Sequence, residues 1–364
     1  MAGVPDLSPL LRLLVEQGGS DLFLSVGAPP FIRREGASRP VDMPPLPPEA
    51  VRQLVYPLLS EAQRAEFERE LELNLAISLA GIGRFRFNLY YQRGEVTLVA
   101  RHVKDRIPSA AELGLPQTLE KLALRDRGLI LVVGAAGSGK STTLASMIDH
   151  RNRHKYGHIL CIEDPIEFMH THQRCIVDQR EVGLDTHSFE AALRNVLRET
   201  PDVIMLGEVR DQQTMQQALH YAETGHLCLA TLHATGSLQA IERVVHFFPE
   251  HARGQMLADL AQNLLAIVAQ RLVPGRQKGR VAAVELLLST PYLRDLIKRD
   301  RLHELREAIA NAPEPGLQTF DQHLFRLLEA ERISPEQALR HADSRTDLGL
   351  RMQLELGILA RTEP

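Results

Sequence analysis

A chain of 364 residues exceeds the roughly 250–300 residues at which single hydrophobic cores stop growing, so one small and one larger domain are expected. Apolar residues make up 44% and charged residues 24%, an ordinary globular balance, but Trp is absent and aromatics reach only 5%, so the cores must be mostly aliphatic. The formal net charge of -4 offers no global attraction to a phosphate backbone, so no nucleic-acid partner is expected and only a local basic groove stays open.

The opening MAGVPDLSPL has neither the basic start nor the apolar core of a signal peptide. No later run approaches the ~18 apolar residues of a membrane span, so any membrane role is expected to be peripheral. Residues 7–17 read as a short amphipathic helix, and DLFLSVGAPPFIRREG as two short strands around a turn at Gly27 to Pro30. After the Pro-rich MPPLPPEA, helical periodicity runs from Glu49 to about Glu70. RFRFNLYYQRGEVTLVARHV then predicts a β-hairpin turning at Gln92 to Gly94. Residues 1–104 are therefore expected to form a small α+β domain. The two prolines and the glycine of KDRIPSAAELGLP place a linker at 105–116.

From Gly128 onward the short apolar strands GLILVVG, HILCIED, DVIMLGE and HLCLATLH alternate with helical stretches, the pattern of a parallel α/β sheet. This predicts an α/β domain over 117–289 and a helical C-terminal region over 290–364. After about residue 250 the chain reads as almost entirely helical, with one late strand in GRVAAVELLL. In HARGQMLADLAQNLLAIVAQRLV, Leu257, Leu260, Leu264 and Val268 share a stripe, which predicts one long helix packed on the core. Cys161, Cys175 and Cys228 lie in apolar stretches without C-x-x-C spacing, so neither a disulfide framework nor a structural zinc is expected, and a reducing cytoplasm fits best.

GLILVVGAAGSGKSTTLASM meets the P-loop pattern in full, with Gly134, Gly139, Lys140 and Ser141 in register after a buried-looking strand and before a helix. A chance match to those four positions in a chain this long is on the order of one in a hundred, before context is counted. Gly137, Ser138 and Gly139 let backbone N–H groups wrap a β-phosphate, and the helix N-terminus adds roughly half a positive charge. Lys140 is expected to reach the β- and γ-phosphates, Ser141 to offer its hydroxyl to Mg2+, and Thr142 to meet the α- or β-phosphate. ATP or GTP is the expected ligand.

Three further elements sit where the sheet's ligand edge is expected. CIEDPIEF ends a strand with Glu163, and PDVIMLGEVRD ends another with Glu208, which should face the metal directly or through a water. Gly207 stands where a magnesium-facing aspartate is normally found. ETGHLCLATLHATG flanks a strand with His226 and His233, both placed beside the γ-phosphate in this reading. His170 and His172 of MHTHQR, with i,i+2 spacing and no supporting cluster, are read as loop histidines.

The ordered set of P-loop, IEDPIE, GEVRD and TGHLCLATLHATG resembles the type IV pilus retraction ATPases of twitching motility, within the secretion ATPase superfamily, over nearly the whole chain. That family has an atypical second acidic strand with Gly before Glu, so Gly207 fits it. The resemblance implies a RecA-like ATPase domain, a smaller PAS-like N-terminal domain, ATP with Mg2+, and a homohexamer at the cytoplasmic face of the inner membrane. It implies that Glu163 positions or deprotonates the attacking water and Glu208 holds Mg2+, two assignments that can be exchanged. It also implies that Arg86 of RFRFN and Arg101 of VARHV serve the nucleotide. QREVGLDTHSFEAALRNVLRETPDVI matches the family with Arg194 and Arg198 at helical spacing, their roles open. HADSRTDLGLRMQLE resembles the accessory branch, implying work alongside a primary retraction ATPase on an inner-membrane platform protein. The alternatives are a coupling or regulatory ring with slow turnover, or another secretion-superfamily ATPase.

Overall fold

In the computed structural model, which describes residues 6–34, 36–277 and 279–358, the chain divides into two units. The first comprises the described residues up to 106 together with 167–169. It opens with helix α1 (Ser8–Glu16), which buries Leu10, Leu11 and Leu14 at helical spacing. Strands β1 (Asp21–Leu24), β2 (Phe31–Arg34) and β3 (Ala37–Pro40) follow, the last of them not anticipated.

The helix expected from Glu49 to Glu70 is instead broken into α2 (Ala50–Val55), a tight turn over Tyr56–Leu58, and α3 (Glu61–Glu70). Pro57 cannot donate to the helical ladder. The chain restarts at Ser60, whose Oγ accepts from Gln63 N while its own N–H donates to Gln63 Oε1, a reciprocal cap. Then come β4 (Glu72–Leu79), β5 (Gly83–Gln92) and β6 (Glu95–Val103). Arg93 and Gly94 both adopt positive φ in the β5–β6 turn, as a two-residue hairpin requires. The sheet runs β3-β2-β1-β6-β5-β4, antiparallel throughout. Alternation along β5 buries Phe85, Phe87 and Leu89 and puts Arg86 on the opposite face.

The second unit begins with α4 (Thr118–Ala123), β7 (Gly128–Val133), α5 (Lys140–His154), β8 (Gly157–Glu163) and β9 (Cys175–Glu181). It continues through α6 (Phe189–Leu193), β10 (Val203–Leu206), α7 (Gln212–Glu223), β11 (Leu227–Leu232) and α8 (Ser237–His246). Next are α9 (Arg253–Asn263), β12 (Leu264–Pro274) and β13 (Arg280–Leu288). Helices α10 (Pro291–Lys298), α11 (Leu305–Ala310), α12 (Phe320–Glu329), α13 (Pro335–His341) and α14 (Arg345–Leu356) complete it. The sheet order is β13-β12-β7-β11-β10-β8-β9, mixed because β12 and β13 pair antiparallel while the other neighbours are parallel. Every residue of β7, β10 and β11 is buried, since aliphatic side chains from both faces enter two cores.

A second expectation is overturned in this unit. Residues 251–273 do not form a single helix: α9 stops at Asn263, and Leu264 turns to extended backbone at φ -65, ψ 129. Leu257 and Leu260 keep their place on the helical stripe, whereas Leu264 and Val268 belong to β12. The physical reason is the run Leu264 to Ala269, apolar on every side, which a half-buried helix cannot hide. Between β7 and β13 it buries both faces and pairs its backbone on both edges. Among the described residues no helix is long and apolar enough to cross a membrane.

Candidate active site

The P-loop links β7 to α5. A Cβ at Gly134 would run into Ser138 Oγ and come within 2.6 Å of the Gln270 carbonyl, so only glycine permits the loop to close there. Gly139, the cap of α5, has φ +91 and lies against Gln270 Nε2, where a Cβ would approach to 2.8 Å. Lys140 is buried at the first position of α5, its Nζ donating to Gly134 O at 2.9 Å and Ala135 O at 3.0 Å. Ser141 and Thr142 follow in the first turn, and Gly137, at positive φ, has open space around it. Ser138 Oγ is buried with no hydrogen-bond partner among the described residues. A glycine cradle, a buried orphan hydroxyl, a lysine aimed at the loop and a helix N-terminus together fit the polyphosphate of a nucleotide.

On one side of β7 the neighbour is β12. Its Gln270, buried, accepts from Thr143 Oγ1 at 2.6 Å and so ties α5 to the strand beneath the loop. A cavity of about 380 Å3 opens on this side, between Ala135 to Ser138 and Thr235, Arg271, Leu272, Arg280 and His341. Arg271 is clamped: it donates to His341 O at 2.9 Å and Thr235 O at 3.2 Å, pairs with Asp343 at 2.7 Å, and stacks 3.8 Å above the Phe320 ring.

On the other side of β7 lie β11, β10 and β8, whose carboxyl ends carry His233, Glu208 and Glu163. Glu163, the last residue of β8, is buried and accepts from Gln179 Nε2 at 2.9 Å. Glu208 follows β10 and is held between Arg210 Nε at 2.7 Å and His233 Nε2 at 3.1 Å. Arg210 also reaches Asp164 at 3.5 Å. Thr231 Oγ1 donates to the Gly207 carbonyl, fixing the turn that presents Glu208. The fold thus gathers the P-loop, Glu163, Glu208 and His233 on the same edge of one sheet, the edge where open α/β sheets bind ligands.

His226 is not gathered there. It precedes β11, at the opposite end of a six-residue strand, roughly 20 Å from the His233 end. Its carbonyl accepts from Gly128 N at 3.0 Å, and its ring Nδ1 lies 3.2 Å from Tyr221 O and Thr224 Oγ1. It finishes the turn from α7 into β11. Flanking one strand had suggested a shared site, but the two flanks of a strand are its two ends.

Arg86 and Arg101 belong to the first unit and are direct cross-strand partners on β5 and β6. Two cations opposite one another repel. Asp21, next in the row on β1, compensates: buried, it accepts from Arg101 Nε at 2.7 Å. His172 Nδ1 accepts from Val177 N, and burial lowers the pKa of His170 to about 4, keeping it neutral. The three cysteines are buried free thiols.

A family model described as type II/IV secretion system protein matches residues 109–282, from before α4 into β13. The type IV pilus ATPase PilU of Pseudomonas aeruginosa is 53% identical over 350 residues, covering 96% of this chain and 92% of that protein. PilT of the same organism, a type IV pilus retraction ATPase, is 42% identical over 337 residues, covering 93% and 98%. The chain belongs to the type IV pilus retraction ATPase family. A crystal structure of the pilus retraction motor PilT with bound ADP matches with a TM-score of 0.88 at 41% identity, covering 94% of this chain and 98% of that one.

Besides Gln179, four residues at this candidate site were not singled out by motif spacing. Gln270 and Arg271 lay inside the stretch expected to be helical, and only a strand beside β7 brings them under the P-loop. Arg210 was legible as the cation two residues after Glu208. Glu285, buried on β13, accepts from Ser237 N at 2.6 Å and anchors α8 directly after the His233 loop, burial pushing its carboxyl pKa up.

Proposed function

We propose that this chain is the ATP-hydrolysing subunit of a homohexameric ring motor for type IV pilus retraction. It acts as the accessory ATPase beside a primary retraction ATPase, on a platform protein at the cytoplasmic face of the inner membrane. Its second unit is the RecA-like ATPase domain, its first the PAS-like domain, and the C-terminal helices complete the subunit. The observation that carries the reading is the convergence of a full P-loop with Glu163 and Glu208 on one edge of one sheet.

The two sides of β7 orient the ligand. Carboxylates and His233 lie toward β11, β10 and β8, so the γ-phosphate of ATP points that way, and the cavity toward β12 and β13 takes the nucleoside. Lys140 exchanges its loop carbonyls for phosphate oxygens. Glu163, at the strand end, orients or deprotonates the water. Glu208 and the Ser141 hydroxyl would hold Mg2+, a carboxylate and a hydroxyl being oxygen donors that suit it. When bound, the ion would supply neutralising charge at the phosphates. His233 fixes the Glu208 carboxylate. Arg86 and Arg101 reach the nucleotide of a neighbouring subunit, a contribution worth ~10^3 to 10^5 in rate when arginine is supplied in trans.

The test is Mg2+-dependent ATP hydrolysis by wild-type, Glu163→Gln and Glu208→Gln proteins, with oligomer mass recorded alongside. Hexamers whose turnover collapses in both variants are expected. Intact hexamers that bind ATP but never turn it over would replace the motor with a coupling ring.

A further inference from the structure

The segment QREVGLDTHSF leads from β9 toward α6. Its first residue, Gln179, lies on β9, the edge strand that pairs with β8 in parallel, two positions before the partner of Glu163. Its amide spans two fixed groups. Nε2 donates to Glu163 Oε1 at 2.9 Å, and Oε1 accepts from the His170 backbone N–H at 2.9 Å.

The second contact decides the meaning of the first. A backbone N–H can only donate, so it dictates which end of the amide is oxygen and turns the NH2 toward the carboxylate. We propose that Gln179 is a positioning residue for Glu163, holding the carboxylate in the orientation from which it acts on water. This rests on the reading of Glu163 as the water-handling carboxylate. The main chain of Glu163 is held by its carbonyl, which accepts from Val182 N at 2.8 Å, and Gln179 pins the far end of its side chain. Glutamine suits the task because a neutral donor orients a carboxylate without neutralising it. A lysine or arginine would pair with it as a charge and oppose proton uptake.

The test is steady-state ATP hydrolysis and nucleotide titration on the full-length oligomer of Gln179→Leu, Gln179→Asn, Glu163→Gln and the Gln179→Leu/Glu163→Gln double variant. Gln179→Leu keeps the volume and removes the donor, and its kcat is expected to fall about 10- to 100-fold with KM, ATP affinity and oligomer mass unchanged. Gln179→Asn, one methylene too short to span both partners, should fall less and carries the same test if the leucine variant does not assemble. The double variant should lose nothing beyond Glu163→Gln alone, because there is no longer a carboxylate to orient. Wild-type kcat in Gln179→Leu alongside an inactive Glu163→Gln would overturn the positioning role and leave Glu163 in place. A further loss in the double variant, or a parallel loss of ATP affinity, would also overturn it. Wild-type turnover in Glu163→Gln would remove the reading on which it rests.

Discussion

Gly207 occupies the place of a missing aspartate, and its surroundings explain why no side chain stands there. A Cβ at this position would sit 3.2 Å from both Glu163 Cα and the Ile162 carbonyl, close enough that the end of β8 would have to give by a few tenths of an ångström. The ends of β8 and β10 thus leave little room for a side chain here, and on the proposed reading the acidic work passes to Glu163 and Glu208. Gly207→Ala is expected to displace Glu163 and lower kcat by about tenfold while nucleotide affinity holds, since small misplacements of reacting groups are costly. Nucleotide titration beside steady-state kinetics separates the two. Gln270 is the corresponding support under the P-loop. Gln270→Leu leaves Thr143 Oγ1 buried without its acceptor, which should cost about 1–3 kcal/mol in stability and weaken ATP binding, measurable by urea unfolding and fluorescent-nucleotide titration.

The elements behind the site differ in how openly they announce themselves. Strands β7, β10 and β11 are short apolar runs that end at glycine, acid or histidine, and each stands where periodicity and turn residues place it. Strand β12 was hidden because Leu257, Leu260, Leu264 and Val268 keep a helical spacing across a boundary that only pairing with β7 and β13 reveals. Strand β9 was hidden for another reason: CIVDQRE is half exposed on an edge, too polar to read as a core strand. Helix α12 carries a pH-sensitive joint to β13. His323, buried, accepts at Nδ1 from Val284 N at 2.8 Å, and burial lowers its pKa to about 4. The unfolded chain takes up the proton near the ordinary histidine value while the folded chain refuses it, so stability is lost as pH falls from about 6.5 toward 4. At pH 5 the loss from this group is about 2 kcal/mol. His323→Gln, which keeps an acceptor for Val284 N, should reduce the difference between urea midpoints at pH 7 and pH 5.

At the scale of the whole molecule, the P-loop belongs to one unit and the two candidate arginines to the other. Arg101 covers the buried Asp21 carboxylate, so its truncation would confound any effect on catalysis with one on folding. Arg86 gives the cleaner test. If it acts on a neighbouring subunit's nucleotide, Arg86→Ala and Lys140→Ala proteins should each be reduced at least about a hundredfold, yet regain turnover when mixed and reassembled. Some interfaces in the mixed ring then pair an intact P-loop with an intact arginine. Turnover of the mixture no higher than that of the separate variants would place the arginine's action within its own subunit or nowhere.

By itself the order of residues determined the P-loop, the acids at the ends of β8 and β10 and the family, because phosphate binding requires particular residue types at short, contiguous spacing. Tertiary structure alone decided that His233 joins the site while His226 closes the far end of its strand, and that Gln179, Gln270, Arg271 and Glu285 reach the P-loop, Glu163 or the His233 loop from strands β9, β12 and β13. The physical reason is that these contacts cross between strands. Strand order and register place them, and both follow from burying aliphatic faces far apart in sequence, which no local pattern records.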